Sequence, residues 1–325
     1  MDEVITMEIV DGGGIFQYGD AHDDILEELY EALDRRDGGN VTLSEYTATL
    51  KDIAERHPHF IDAHTHLGYV LLERGKPKLA LQACLRGIEL GEGAIPPGFA
   101  GTIEWGFLEN RPFLRAAHGA ILCHLELGQR RKALALMEKV LAWNPNDNQG
   151  IRYLVGPEYL RTGETEKART ILEAEAAHYP PYHYELGLLH FREDSLVSAV
   201  TSLRRGFTAN VYIAEILNGN PDPTPRDIWH GTNFAEPELA HEYVGQCRQL
   251  WLDTPEAIAF LRWLYTHPKI RAEDAALTEI GEALLSERNF EERNALLDRE
   301  ASALASIDDQ LSRELVTEYR RMPRA

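Results

Sequence analysis

A glycine five residues ahead of an alanine, with a bulky residue four further on, recurs along the middle of this chain. The sets are Gly75, Ala80 and Cys84; Gly128, Ala133 and Met137; Gly163, Ala168 and Leu172. A fourth stretch keeps Ala199 and Leu203 but carries Asp194 at the glycine position. Glycine enters left-handed backbone conformations without a side-chain clash, so each one marks the end of a helix. The alanine then lies where a second helix approaches the first, and the bulky residue shares its face one turn on. Neither helix can bury its apolar stripe alone, whereas stacked pairs form a continuous core. The alanines are spaced 53, 35 and 31 residues apart. A unit of about 34 residues accounts for the last two spacings, and the first is one unit plus an insertion of about 19.

These units resemble tetratricopeptide repeats (TPR), whose pattern asks for a large residue, then Leu-Gly, Tyr, Gly, Ala, an aromatic, Ala and Pro. The first unit supplies Leu67-Gly68, Gly75 and Ala80, and the third Gly156, Tyr159, Gly163, Ala168 and Pro180. The fourth supplies Leu186-Gly187 and Ala199. The units are degenerate. His64, Ala117, Arg152 and His183 stand at the large-residue position, and Ala120-Ile121 replaces Leu-Gly in the second. The resemblance spans residues 59–211. It implies an all-α fold, a right-handed TPR-like helical-hairpin solenoid with a C-terminal helical cap, and is nearly silent on function. A weaker similarity, from Ala199 to Leu264, is to the suppressor-of-tumorigenicity protein family. It rests on Ala209-Asn210-Val211, a proline-rich connector, and Tyr243, Trp251 and Ala257. Trp105-Gly106, Asn110-Arg111-Pro112-Phe113 and the Asn144-Pro145-Asn146-Asp147 turn look like those of bacterial TPR proteins of unassigned role.

Residues 1–57 form an acidic segment and a helical hairpin, either a cap or a degenerate repeat. Residues 1–20 read as loop-like or a short extended segment around Gly12-Gly13-Gly14. Ile25, Leu26, Leu29 and Leu33 keep helical spacing, Asp37-Gly38-Gly39-Asn40 breaks it, and Thr42 or Ser44 caps the next helix. The repeats occupy 58–217, with an insertion at 91–113. The preceding helix is expected to end near Leu90, because the stretch from Gly91 to Gly101 is too rich in Gly and Pro to be helical. Phe99, Trp105, Phe107 and Phe113 require the insertion to pack, across the groove or onto the side of the repeats. Asn146 or Asp147 is expected to cap the following helix. A Pro/Gly connector covers 218–235, and a C-terminal helical region covers 236–325.

Several function classes are argued against. The formal net charge is −20, and residues 1–56 carry fifteen Asp/Glu against four Lys/Arg. Nucleic-acid binding needs a dense basic face, and Arg130-Arg131-Lys132 is the largest basic run. The acidic end instead suits a basic partner, or serves solubility alone. No run of about 18 apolar residues points to a membrane span. Met1-Asp2-Glu3 is no secretory signal, so a cytoplasmic location is expected. Cys84, Cys123 and Cys247 have no pairing or metal spacing and read as buried small hydrophobes in a reducing compartment. No Lys-Ser/Thr follows the glycine triplet, and no nucleophile or metalloprotease motif occurs. The chain is therefore read as non-catalytic, with no cofactor or metal. The rival reading is a small-molecule or metal-binding protein, even an enzyme, built where His57, His59, His64 and His66 meet the insertion. His64 and His66 point about 200° apart on a helix and cannot share one ion.

The TPR resemblance also implies a concave face, lined by the second, fifth, ninth and twelfth positions of each first helix. By register these are Asp62, Thr65, Tyr69 and Leu72; Arg115, His118, Leu122 and Leu125; Gly150, Tyr153, Pro157 and Leu160; and Pro181, Tyr184, Leu188 and Phe191. A partner-binding groove is thus expected at Thr65, Tyr69, Arg115, His118, Tyr153, Tyr184 and Leu188, gated or shaped by the insertion aromatics. Tyr and Arg are common anchors because each joins apolar area to hydrogen bonding. Alternatively, these tyrosines pack against the insertion or the C-terminal helices. Thr65, Tyr69 and Tyr153 stand where a carboxylate clamp would want cations or amides, so that role is not expected. The resulting expectation is a protein–protein interaction scaffold or adaptor that binds a peptide or protein segment. Nucleic acid and membrane are not expected partners, and self-association is left open.

Overall fold

The computed structural model describes residues 5–322, so the Met1-Asp2-Glu3 start lies outside the described residues. The chain divides into two compact units, Met1–Val155 and Gly156–Ala325. The described residues form sixteen α-helices and one two-stranded antiparallel sheet. No helix among them is long and apolar enough to cross a membrane.

The first unit opens with β1 (Thr6–Val10) and β2 (Gly13–Gln17), where the sequence suggested a loop or a short extended segment. Asp11 and Gly12 join them, both with positive φ (49° and 83°). A two-residue hairpin turn of this hand requires that geometry. Six helices follow: α1 (His22–Asp37), α2 (Leu43–Arg56), α3 (Ile61–Glu73), α4 (Pro77–Ala94), α5 (Arg111–Glu126) and α6 (Arg130–Trp143). α7 (Arg152–Thr162) holds the boundary between the units. Thr42 caps α2 in a reciprocal box with Glu45. Asp147 fills the capping role before α7, its carboxylate accepting from the Ile151 and Arg152 N–H groups at 2.8 and 2.7 Å.

The helical hairpins share one turn. Gly75, Gly128 and Gly163 have φ of 66°, 67° and 78°, and Asp194, at the fourth glycine position, follows them at 57°. The next N–H reaches back to the carbonyl five residues earlier in every case. These bonds are Lys76 to Leu71, Gln129 to His124, Glu164 to Tyr159 and Ser195 to His190, at 2.8, 2.8, 2.9 and 2.9 Å. That bond is the six-to-one closure of a Schellman turn. Ala80, Ala133, Ala168 and Ala199 are all fully buried. The Leu-Gly glycines receive the bulky partner of the second helix. A β-carbon at Gly156 would lie 2.8 Å from Leu172 Cδ2, one at Gly187 would lie 2.6 Å from Leu203, and one at Gly68 would strike Cys84 Sγ.

One expectation about the insertion needs correction. α4 does not stop near Leu90 but runs to Ala94, because Gly91 is buried flat against the Phe113 ring and leaves no room for a side chain. The insertion also packs on β2. Gly14 N–H donates to Thr102 O (2.7 Å), and Phe16 N–H donates to Asn110 Oδ1 (3.1 Å). Asn110 Nδ2 returns a bond to Gly14 O (2.9 Å). Phe113 is buried between Phe16 and Trp143, at ring-centre distances of 5.1 and 5.0 Å. Phe99 lies against Gly14, and the Trp105 ring sits under the Arg111 guanidinium. Phe107 remains 42% exposed.

The second unit takes in α8 (Thr165–Glu175), α9 (Pro181–Arg192), α10 (Leu196–Ala209) and α11 (Val211–Leu217). After the connector come α12 (Pro237–Leu252), α13 (Pro255–Thr266), α14 (Pro268–Ser286), α15 (Phe290–Ala305) and α16 (Asp309–Arg320). Asn210 ties this unit together. It caps α11 through Ile213 N–H, holds the connector by Phe234 O and Glu236 O, and receives the Tyr184 hydroxyl on its carbonyl at 2.6 Å. Arg204 on α10, 1% exposed, pairs with Glu273 and donates to Asp308 O and Ser312.

Two substitutions test the hairpin geometry. Asp194→Gly relieves a left-handed non-glycine residue and is expected to stabilise the chain by about 0.5–1 kcal/mol. Gly187→Ala overpacks the α9–α10 contact and is expected to cost about 1–3 kcal/mol. Urea unfolding of both variants checks the opposite signs.

Candidate functional site

The strongest candidate is the face that α3 and α5 share in the first unit. Asp62 opens α3 and Arg115 lies in the first turns of α5, so their register positions meet. One edge of the guanidinium engages the carboxylate, with Arg115 Nη2 donating to both Asp62 oxygens at 2.8 and 2.7 Å and Nε to Oδ1 at 3.2 Å. Asp62 is buried (3% exposed) while Arg115 keeps 29% of its side chain in solvent. Two turns further along α3, the Tyr69 hydroxyl donates to Arg115 O (3.0 Å) and lies 3.2 Å from His118 Nδ1. Tyr69, His118 and His66 are half-buried. Burial pushes the Tyr69 phenol up and the His118 and His66 imidazoles down, so all three are uncharged at neutral pH. The face therefore offers aromatic and imidazole surface around one internally neutralised ion pair. Tyr18, which follows β2, approaches Asp62 and anchors its hydroxyl on Glu109 O at 2.9 Å.

The other expected groove residues lie elsewhere. Thr65 is fully buried, its hydroxyl on Ile61 O at 3.0 Å. Tyr153 is half-buried at the start of α7. Tyr184 and Leu188 on α9 are fully buried and present no surface to a partner. The C-terminal helices cover that helix: Tyr184 lies 6.5 Å from Tyr243 of α12, and Phe191 lies 5.1 Å from Phe260 of α13. Arg192 adds bonds to Leu250 O and Thr254. The alternative of packing against C-terminal helices is thus the observed one for Tyr184. Phe99 and Phe113 are spent on β2 and Trp143 and Trp105 on Arg111, while Phe107 stays exposed.

The histidine stretch disperses. His64 Nε2 bonds to Pro58 O, His57 lies beside Arg56, and His59 is exposed. Among the described residues no three His, Cys, Asp or Glu side chains gather as metal ligands. Cys84 and Cys123 carry no pairing signal in the sequence, yet their buried thiols are hydrogen-bonded to each other between α4 and α5.

A buried acid cluster in the second unit has no sequence motif. Glu185 on α9 is fully buried, and neither carboxyl oxygen has a nitrogen or oxygen partner among the described residues. The Cys247 thiol of α12 lies nearby. The nearby Arg161 side chain instead pairs with Glu158 and donates to Gln246 O at 2.7 Å. Burial pushes the Glu185 pKa from 4.5 up to about 8. The available signal was an acid inside the apolar run Tyr184-Glu185-Leu186-Gly187-Leu188.

The sign of the linkage follows. Between pH 4.5 and about 8 the folded chain keeps a proton on Glu185 that the unfolded chain has released. Stability therefore falls as pH rises through that window and levels off above it. Glu185→Gln is expected to flatten this dependence and to be the more stable protein at alkaline pH. Denaturant titrations of both proteins across the window measure it. No protein-family model and no curated protein matches the chain.

Proposed function

We propose that this chain is a non-catalytic, TPR-like interaction scaffold or adaptor, with its hairpins stacked as turns of a right-handed solenoid under a C-terminal helical cap. The partner is a protein or peptide segment that docks on the α3–α5 face. The observation that carries this reading is the half-exposed contact of Tyr69, Arg115 and His118, aligned by the repeat register. An uncharged aromatic face favours a segment with apolar anchors and a few hydrogen bonds over a strongly charged one. Three free, buried thiols and an acidic surface fit a reducing, cytoplasmic setting. Tyr184 and Leu188 have no part in binding in this reading, because α12 and α13 already cover their helix.

Affinity capture from native lysate tests it. His118→Glu places a charge beside Tyr69 and is expected to reduce recovered partner about tenfold, since a desolvated charge in a contact costs more than 1.4 kcal/mol. Tyr30→Ala, an exposed residue on α1, and Tyr184→Phe, a buried one, are expected to retain it. An unchanged partner set for a folded His118→Glu protein would refute the assignment.

A further inference from the structure

Among the described residues the outer edge of β1 is unpaired, and the geometry of β2 decides which groups it presents. Gly14 and Phe16 spend their outward groups on the insertion, through Thr102 O and the Asn110 carboxamide. The N–H and C=O of one strand residue lie on the same edge, and successive residues alternate. Gly13, Ile15 and Gln17 therefore face β1, where the register gives them Val10, Glu8 and Thr6. Met7 and Ile9 are left with N–H and C=O directed away from the sheet, and no described residue pairs with that edge.

The side chains along this edge are also open. Ile9 is 49% and Val10 42% exposed, and Thr6 and Glu8 before them are also exposed. A flat, apolar edge strand is a template for another strand unless something covers it. Charge selects the occupant. Residues 1–34 contain eleven Asp/Glu and no Lys or Arg. A second copy of the chain would bring two such segments together, which like-charge repulsion opposes. A basic strand gains attraction where the copy would lose it.

We propose that the open edge of β1 binds a basic, extended segment of a partner protein as a third antiparallel strand. Met7 and Ile9 supply the backbone hydrogen bonds, Glu8 faces a Lys or Arg, and Ile9 and Val10 meet apolar residues. This shares with the scaffold reading only that the partner is a protein. The surface is separate, and His118→Glu leaves it intact, so the two can fail independently.

A blocked, alternating Lys-Val octapeptide serves as the probe, with amide hydrogen exchange and fluorescence anisotropy as readouts. In the free chain the Met7 and Ile9 amides exchange quickly while those of Glu8 and Val10 are protected. Bound peptide is expected to protect Met7 and Ile9 about tenfold or more. Ile9→Pro removes an outward N–H without touching the ladder to β2 and is expected to weaken binding about tenfold. A peptide N-methylated at alternate residues should fail against the unaltered chain, which keeps the test valid if Ile9→Pro misfolds. Rising salt should weaken the complex. Absence of binding, wild-type affinity for the N-methylated peptide, or equal affinity for a Glu-Val peptide would overturn the proposal. So would a concentration-dependent dimer that Ile9→Pro abolishes.

Discussion

The hairpins depend on how closely two helices approach. In α3, α7 and α9 a glycine stands where the second helix inserts Cys84, Leu172 or Leu203, and a β-carbon there would collide with it. Close approach removes the gap that would otherwise forfeit dispersion contacts along the whole interface. The left-handed turn at the hairpin end then sets the angle at which the second helix leaves. Asp194 shows how strongly that angle is imposed. It adopts the glycine conformation, at some backbone cost, because the bond from Ser195 to His190 and the buried contact beyond it require the same turn.

A second constraint acts at the insertion. A two-stranded hairpin is marginal on its own. Here the Asn110 carboxamide imitates a peptide group, accepting from Phe16 and donating to Gly14, and so supplies part of a third strand from one side chain. The glycine triplet makes that approach sterically possible, with Gly101 close against Gly12. A segment that looked like a gate on the groove thus completes a small sheet. By occupying the edge of β2 that faces away from β1, it leaves the outer edge of β1 as the open one among the described residues.

The two units spend their polar residues differently. On the α3–α5 face Arg115 answers Asp62 and stays partly in solvent. Around Glu185 a single guanidinium stands near two buried carboxyls and pairs with Glu158, so Glu185 holds its proton instead. Desolvation of a charge costs more than a distant cation returns, which explains why burial dominates at that site.

Local spacing by itself determined the helical class, the ends of the hairpins and the buried alanines, and narrowed the α2 cap to Thr42 or Ser44, because these follow from backbone sterics within a few residues. The repeat register named Asp62, Arg115, Tyr69 and His118 as lining positions, but only the packing of α3 on α5 pairs Asp62 with Arg115 and Tyr69 with His118. Other features depend on residues far apart in the chain. Burial of Tyr184 and Leu188 needs α12 and α13, and the Cys84–Cys123 contact needs α4 against α5. The meeting of Glu185 and Cys247 joins positions 62 residues apart. Residues 1–20 read only as loop-like or a short extended segment, and the pairing of β2 with the insertion spans more than ninety residues. Periodicity tells which face of a helix is apolar. Only the tertiary structure decides what covers that face, since burial is a property of the neighbour as much as of the residue.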